Sequence, residues 1–231
     1  MTLEDFGPFF VIENHPADSR ESDPWRSMAE LGVPAGFRAR ALTVRAALAA
    51  LTGVAEQSVE LRVAASVAHL GVVARLISPA FGVTLLTGSG PTMTLRELRW
   101  QPDPGGAFPL ARIDRPTGPA IVDSSDQLAE WIGTGPVAEV TAAAGRLSVS
   151  PRTRWGNVAS AVHGAATAVA RARPELADRA LALSRTVLRT DRLAPYHEFD
   201  SSGRFRRTNC CLIYRVAGGR EAVCGDCVLR P

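Results

Sequence analysis

The sequence predicts an α+β protein that is predominantly helical: a helical body with a few short strands and a carboxy-terminal hairpin that bears cysteines. Three observations lead there. Apolar residues recur at the helical period through most of the chain between Phe37 and Val187. Segments rich in β-branched and aromatic residues are few and short. All four cysteines lie in the last 22 residues, as Cys210-Cys211 and Cys224-Gly225-Asp226-Cys227. With 231 residues, 46% of them hydrophobic, the chain is long enough to bury a substantial core. We expect a body over residues 1–195 and a cysteine-bearing segment over 196–231.

Residues 1–36 are rich in Pro, Gly and acidic residues, with Phe6, Phe9, Phe10 and Trp25 interspersed. They predict an irregular arm that packs its rings onto the body. From Phe37, the series Ala41, Val44, Leu48 and Leu51 has the helical period. A second helix is expected from about Ser58 to Ile77, stopping before Pro79. Phe81 to Thr87 reads as a strand, whereas Thr94 to Trp100 fits a strand or a helical turn through Leu95 and Leu98. Residues 102–119, with Gly105-Gly106 and several prolines, read as a loop.

Asp123-Ser124-Ser125-Asp126-Gln127 offers capping groups for a short helix containing Trp131, and Val137, Val140, Ala144 and Leu147 continue at helical spacing. Ser150-Pro151 starts another helix, because serine caps and proline is tolerated in the first turn. Trp155, Val158, Val162, Ala165 and Val169 line one face of it. Its small residues, Gly156, Ala159, Ser160 and Ala161 among them, admit close approach of another helix or of a ligand. After Arg173-Pro174, the series Leu176, Ala180, Leu183 and Val187 predicts a last helix, and residues 190–205 link it to the cysteines.

Composition excludes several function classes. The formal charge is +3 and the basic residues, all Arg, are dispersed, so no nucleic-acid surface is expected. No apolar run reaches the roughly 18 residues that span a bilayer, since Val63 to Ile77 and Val158 to Ala170 are interrupted by His69, Arg75 and His163. Met1 to Phe10 has Glu4 and Asp5 and no basic residue, unlike a secretory leader, so the thiols are expected to be reduced and the location cytoplasmic. There is no P-loop or dinucleotide fingerprint. His15, His69, His163 and His197 show no metal-ligand spacing, although His197 could lie near the cysteines and His163 face a cleft. Nothing in the spacing supports a hydrolase.

Four crowded thiols point to a thiolate-held metal group, either a [2Fe-2S] cluster or zinc, for which CxxC is an ordinary half-site. Adjacent cysteines do not readily bond to each other, so disulfides would have to cross between the pairs. Cys211 to Val216 is β-branched and aromatic, Gly218-Gly219 supplies a turn and Glu221-Ala222-Val223 leads back, which predicts a hairpin carrying CC and returning to CxxC. Arg204, Arg206, Arg207, Arg215 and Arg220 surround the site in sequence and would favour a more anionic, reduced cluster.

The sequence resembles the FhuF-like ferric siderophore reductases. The resemblance lies in Arg206-Arg207-Thr208-Asn209-Cys210-Cys211-Leu212-Ile213-Tyr214-Arg215, in Gly218-Gly219 and in Cys224-Gly225-Asp226-Cys227-Val228-Leu229. It continues upstream in Arg154-Trp155-Gly156-Asn157-Val158-Ala159-Ser160-Ala161 and, more loosely, in Arg62 to Ser66, Leu70-Gly71 and Ser78-Pro79. The family separates its cysteine pairs by ten residues; here there are twelve, which a hairpin absorbs without turning its ends over.

The resemblance implies a [2Fe-2S] cluster on Cys210, Cys211, Cys224 and Cys227 and one-electron reduction of a ferric siderophore. It implies substrate contact at Arg152, Arg154, Trp155 and Asn157, and recharging by a ferredoxin or a NAD(P)H-dependent flavoprotein. It leaves open a peripheral position at the inner membrane beside a siderophore transporter. The competing class is a non-enzymatic metal-binding module, with structural zinc or cluster, or a redox sensor.

Overall fold

The computed structural model describes residues 1–17, 23–113, 124–216 and 224–229. Among them, helices α1 (Pro34–Thr52), α2 (Leu61–Thr87), α3 (Ser124–Thr134), α4 (Pro136–Gly145), α5 (Pro151–Ala172) and α6 (Ala177–Leu188) make the body. The helix starts follow local chemistry. Pro34 opens α1 in its first turn, where a missing N–H has no intrahelical partner to lose. At α5, Ser150 Oγ accepts the Thr153 N–H at 3.1 Å with Pro151 in the first turn, as its sequence predicts. Asp123, the expected leader of the α3 cap, lies outside the described residues.

The central helix is α2, packed most extensively against α5 and then against α1 and α4. Val72, Val73, Leu76 and Ile77 of α2 share the buried core with Val158, Val162, Ala165 and Val169 of the predicted α5 stripe. Of the small residues of α5, Ala159 and Ala161 are buried in this core, where α5 packs most extensively on α2.

Two expectations are corrected along α2. The helix does not stop before Pro79, and Phe81 to Thr87 is its last two turns, ending at Gly88 in the left-handed region. Pro79 cannot donate to the Arg75 carbonyl, but Ser78, Pro79, Ala80 and Phe81 are all buried, and that burial holds the helix together across the gap. A continuous apolar run does not distinguish a buried strand from a buried helix. Extended to Thr87, α2 is long and apolar enough to cross a membrane, yet 67% of its most apolar stretch is buried within the fold. Arg75 is buried in it as well. Its Nε donates to Phe108 O and its Nη1 to Phe9 O, both at 2.8 Å, and its Nη2 to Val11 O.

Those bonds fasten the amino-terminal arm, which is more ordered than its composition implies. Phe6 and Phe10 are buried as expected. The arm also contributes β1 (Glu13–His15) and β2 (Arg26–Ser27) to a four-stranded sheet completed by β3 (Leu98–Trp100) and β4 (Leu110–Ile113). The order is β1-β4-β3-β2, with β1 parallel to β4 and the other pairs antiparallel. Residues 94–100 are thus both things their sequence allowed, a 3-10 turn at Leu95–Glu97 followed by β3. The stretch from 102, expected to be all loop, holds β4, and its remainder from 114 lies outside the described residues.

After α6 the chain forms a second sheet, the antiparallel hairpin β5 (His197–Phe199) and β6 (Phe205–Arg207). Phe205 is its anchor. The ring stacks on His163 of α5 at 4.4 Å between centroids and on His197 at 5.6 Å, nearly parallel to both. The hairpin of this region therefore precedes the cysteines. Cys211 to Val216 is not a strand: Leu212 is left-handed at φ 73° and Ile213–Arg215 form a 3-10 turn. Leu212 and Val216 pack against Val59 and Val63, and the Arg215 guanidinium bonds Glu60 at 2.7 Å, so the turn is held by the start of α2. The Gly218-Gly219 turn and the returning Glu221 to Val223 lie outside the described residues.

Candidate metal centre

Three elements converge on the cysteines. β6 ends at Arg207, whose backbone N–H donates to Asp226 O at 3.0 Å and so joins the CC segment to the CxxC segment. From α2, Ser66 Oγ donates to Cys211 O at 2.8 Å. From α5, Asn157 reaches Arg207. Within the loops, Leu212 N–H points at Cys210 Sγ at 3.2 Å and Leu229 N–H at Cys227 Sγ at 3.3 Å. Such amides stabilise thiolate and, with it, a bound metal.

The four thiols are free. Cys211 of the CC pair and Cys224 of the CxxC pair have their Sγ atoms 3.7 Å apart. Two sulfurs at about 2.3 Å from one tetrahedral metal stand about 3.8 Å from each other, so Cys211 and Cys224 already have the spacing of ligands that share a metal. Among the described residues there is no group of three or more His, Cys, Asp or Glu side chains arranged to hold a metal ion. Cys211 and Cys227 are each only 2% exposed, while Cys210 and Cys224 are half-buried, which gives the site an inner and an outer edge.

The electrostatics differ across the pairs. Burial pushes the Cys210 thiol up to about 11. Cys211 is held down to about 6, chiefly by the hydrogen bond from Cys224 and further by the Ile213 N–H and the Arg207 charge, against its burial. Cys224, donating to Cys211, is raised. Arg207 faces this group from the protein interior. Burial lowers its pKa, and Cys211, Cys224, Asp226 and Cys210 pull it back up. The donor set, the 3.7 Å spacing and the facing cation fit a thiolate-held cluster.

Behind Arg207 runs a chain of buried polar groups. Arg207 Nη2 donates to Asn157 Oδ1 at 2.7 Å; Asn157 Nδ2 donates to Ser66 O at 3.0 Å and to His69 Nδ1 at 3.2 Å. With Nδ1 accepting, His69 carries its proton on Nε2 and donates to Thr141 Oγ1 at 3.0 Å, which donates onward to Val137 O at 2.6 Å. The three regions of family resemblance meet along this chain. Gly156 is explained by it too, since a Cβ there would come within 2.5 Å of the Asn209 side chain, which also accepts from Arg207.

The four residues named for substrate contact point in different directions. Arg152 is exposed. Arg154 turns inward, donating to Thr141 O at 2.6 Å and Val149 O at 3.0 Å. Trp155 lies under the Arg192 guanidinium, 5.0 Å from its ring centre, in a groove shared with Tyr196 and Glu130. Asn157 is fully buried. A separate concavity of about 650 Å³, lined by Arg38, Glu60, Leu61, Arg62, Arg146 and Ser148, borders the cysteine segment through Glu60, which holds Arg215. Sequence reasoning did not find it, because its arginines come from three separate elements.

Residues 207–229, which contain all four cysteines, match the FhuF 2Fe-2S C-terminal domain family. No curated protein matches the chain. No solved structure matches it.

Proposed function

We propose, on the premise that residues 207–229 form an iron-sulfur domain of the FhuF kind, that this chain is a ferric-siderophore reductase. A [2Fe-2S] group held by Cys210, Cys211, Cys224 and Cys227 would supply one-electron transfer, so that an electron from a donor protein could reduce siderophore-bound Fe(III) to Fe(II). Ferric iron is a small, hard ion gripped by hydroxamate or catecholate oxygens, and the ferrous ion is held far more weakly, so one electron releases the metal. The observation that carries this reading is the contact between the two cysteine pairs, with Cys211 Sγ and Cys224 Sγ 3.7 Å apart.

The residues divide the work. Cys211 and Cys227 fix the inner edge, while half-buried Cys210 and Cys224 bring the outer edge near the surface, where an electron can be exchanged. No flavin or nicotinamide fingerprint occurs in the sequence, so a ferredoxin or a NAD(P)H-dependent flavoprotein supplies the electron. The concavity of Arg38, Arg62 and Arg146 supports docking of an anionic ferric chelate. Arg62 is paired with Glu60 at 2.6 Å, whereas neither Arg38 nor Arg146 has an acidic partner among the described residues.

A single-turnover experiment tests the reading. Protein reduced with dithionite, desalted anaerobically and mixed with a ferric hydroxamate should yield about one Fe(II) per chain, trapped by a ferrous chelator, as its visible spectrum returns to the oxidised form. Reduced protein that ferric hydroxamates and catecholates leave untouched would remove the reductase reading and favour the structural module, for which the CxxC turn is equally suited to zinc.

A further inference from the structure

We infer that Arg207 is the internal counter-charge of the four-thiolate site and that Asn157 positions it. The inference rests on the electron-transfer reading above and assigns two residues that tune it. Arg207 is 0% exposed, as are Asn157 and His69 beside it. A guanidinium stays protonated in proteins, and an unpaired buried charge is strongly destabilising. Its compensation must therefore lie inside the site.

The hydrogen bonds behind Arg207 are all to neutral oxygens: Asn157 Oδ1 at 2.7 Å, Asn209 Oδ1 at 3.1 Å and Thr153 O at 3.2 Å, every one of them from Nη2. Its Nε and Nη1 have no partner among the described residues. The arginine sits where the two cysteine segments meet: its side chain bonds Asn209, the neighbour of Cys210, and its backbone N–H bonds Asp226 O of the Cys224–Cys227 turn at 3.0 Å. Three neutral acceptors thus fix the guanidinium by one nitrogen and leave its charge to the thiolates.

Asn157 suits that task because its amide has one possible orientation. Its nitrogen is committed to Ser66 O and His69 Nδ1, which forces the oxygen toward Arg207. Asn157, one of the four residues expected to touch substrate, is fully buried and bonds Arg207 instead. A fixed cation beside the thiolates favours the state with the extra electron. Removing it should leave the group assembled and make it harder to reduce.

The test is the midpoint potential of the wild type, R207Q, R207K and N157D, each checked for helical content by circular dichroism and for iron content. N157D leaves the arginine in place and neutralises it with a carboxylate, so it serves if R207Q does not fold. The expected result is that R207Q and N157D lower the reduced-to-oxidised ratio at a fixed potential at least tenfold, which is 59 mV for one electron. R207K, which keeps the charge, should stay closer to the wild type than R207Q does. A reducible centre whose midpoint is unmoved in R207Q and N157D would overturn this inference alone. A wild-type protein with no reducible centre would overturn it together with the reading on which it rests.

Discussion

Asn157 and His69 show what a buried polar residue does when all its groups are committed. Neither touches solvent, and each is wedged between a donor and an acceptor. Burial, helped by the nearby Arg154 and Arg207 charges, holds His69 down to about 3, so it is neutral in the fold. The consequence for stability has a definite sign. An unfolded His69 takes up a proton below its ordinary 6.5 while the folded one refuses it down to about 3. The stability this neutral histidine contributes is therefore full above pH 6.5 and is lost as the pH falls toward 3, at up to about 1.4 kcal/mol per pH unit for one proton. Urea unfolding of the wild type and H69Q between pH 7 and 4 checks this: the wild type should lose more stability over that range, and parallel losses would contradict it. The cysteines were legible in the sequence because their ligand pattern is local. The partnership of Asn157 with Arg207 was not, because fifty positions separate them and only the packing of α5 against β6 brings them together.

Elements were legible where a local rule fixed them. Ser150-Pro151 announced α5, and the Val158 to Val169 stripe announced its buried face. Pro79 misled, because its rule describes a helix in water, whereas α2 is surrounded by protein at that point. The strands β1 to β4 are two to four residues long, too short to show an alternating pattern, and their order depends on pairing the arm with residues a hundred positions away. The β5–β6 hairpin is likewise anchored by ring contacts that the sequence could not show, chiefly Phe205 stacked on His163 of α5 and on His197. Replacing that buried ring, F205A, should cost about 3–5 kcal/mol, as for other large-to-small core changes, read as a lowered urea midpoint. Because β6 leads directly into Arg207, the same variant should also release its metal to a chelator faster than the wild type.

At the scale of the molecule, the fold buries Cys211 and Cys227 and leaves Cys210 and Cys224 half-buried. α2 supplies Ser66 to the backbone of Cys211 and Glu60 to Arg215, α5 supplies Asn157 to Arg207, and the hairpin delivers the chain between them. The body has a large apolar core of its own, so losing the metal should disturb the carboxy-terminal loops more than the helices. That separates a redox centre from a metal staple, and its occupant is the central claim. The most direct measurement is an anaerobic visible spectrum before and after dithionite, with iron, acid-labile sulfide and zinc counted on the same sample. Charge-transfer absorption that bleaches on reduction, with about two irons and two sulfides per chain, is the predicted result. A colourless protein holding one zinc would contradict it.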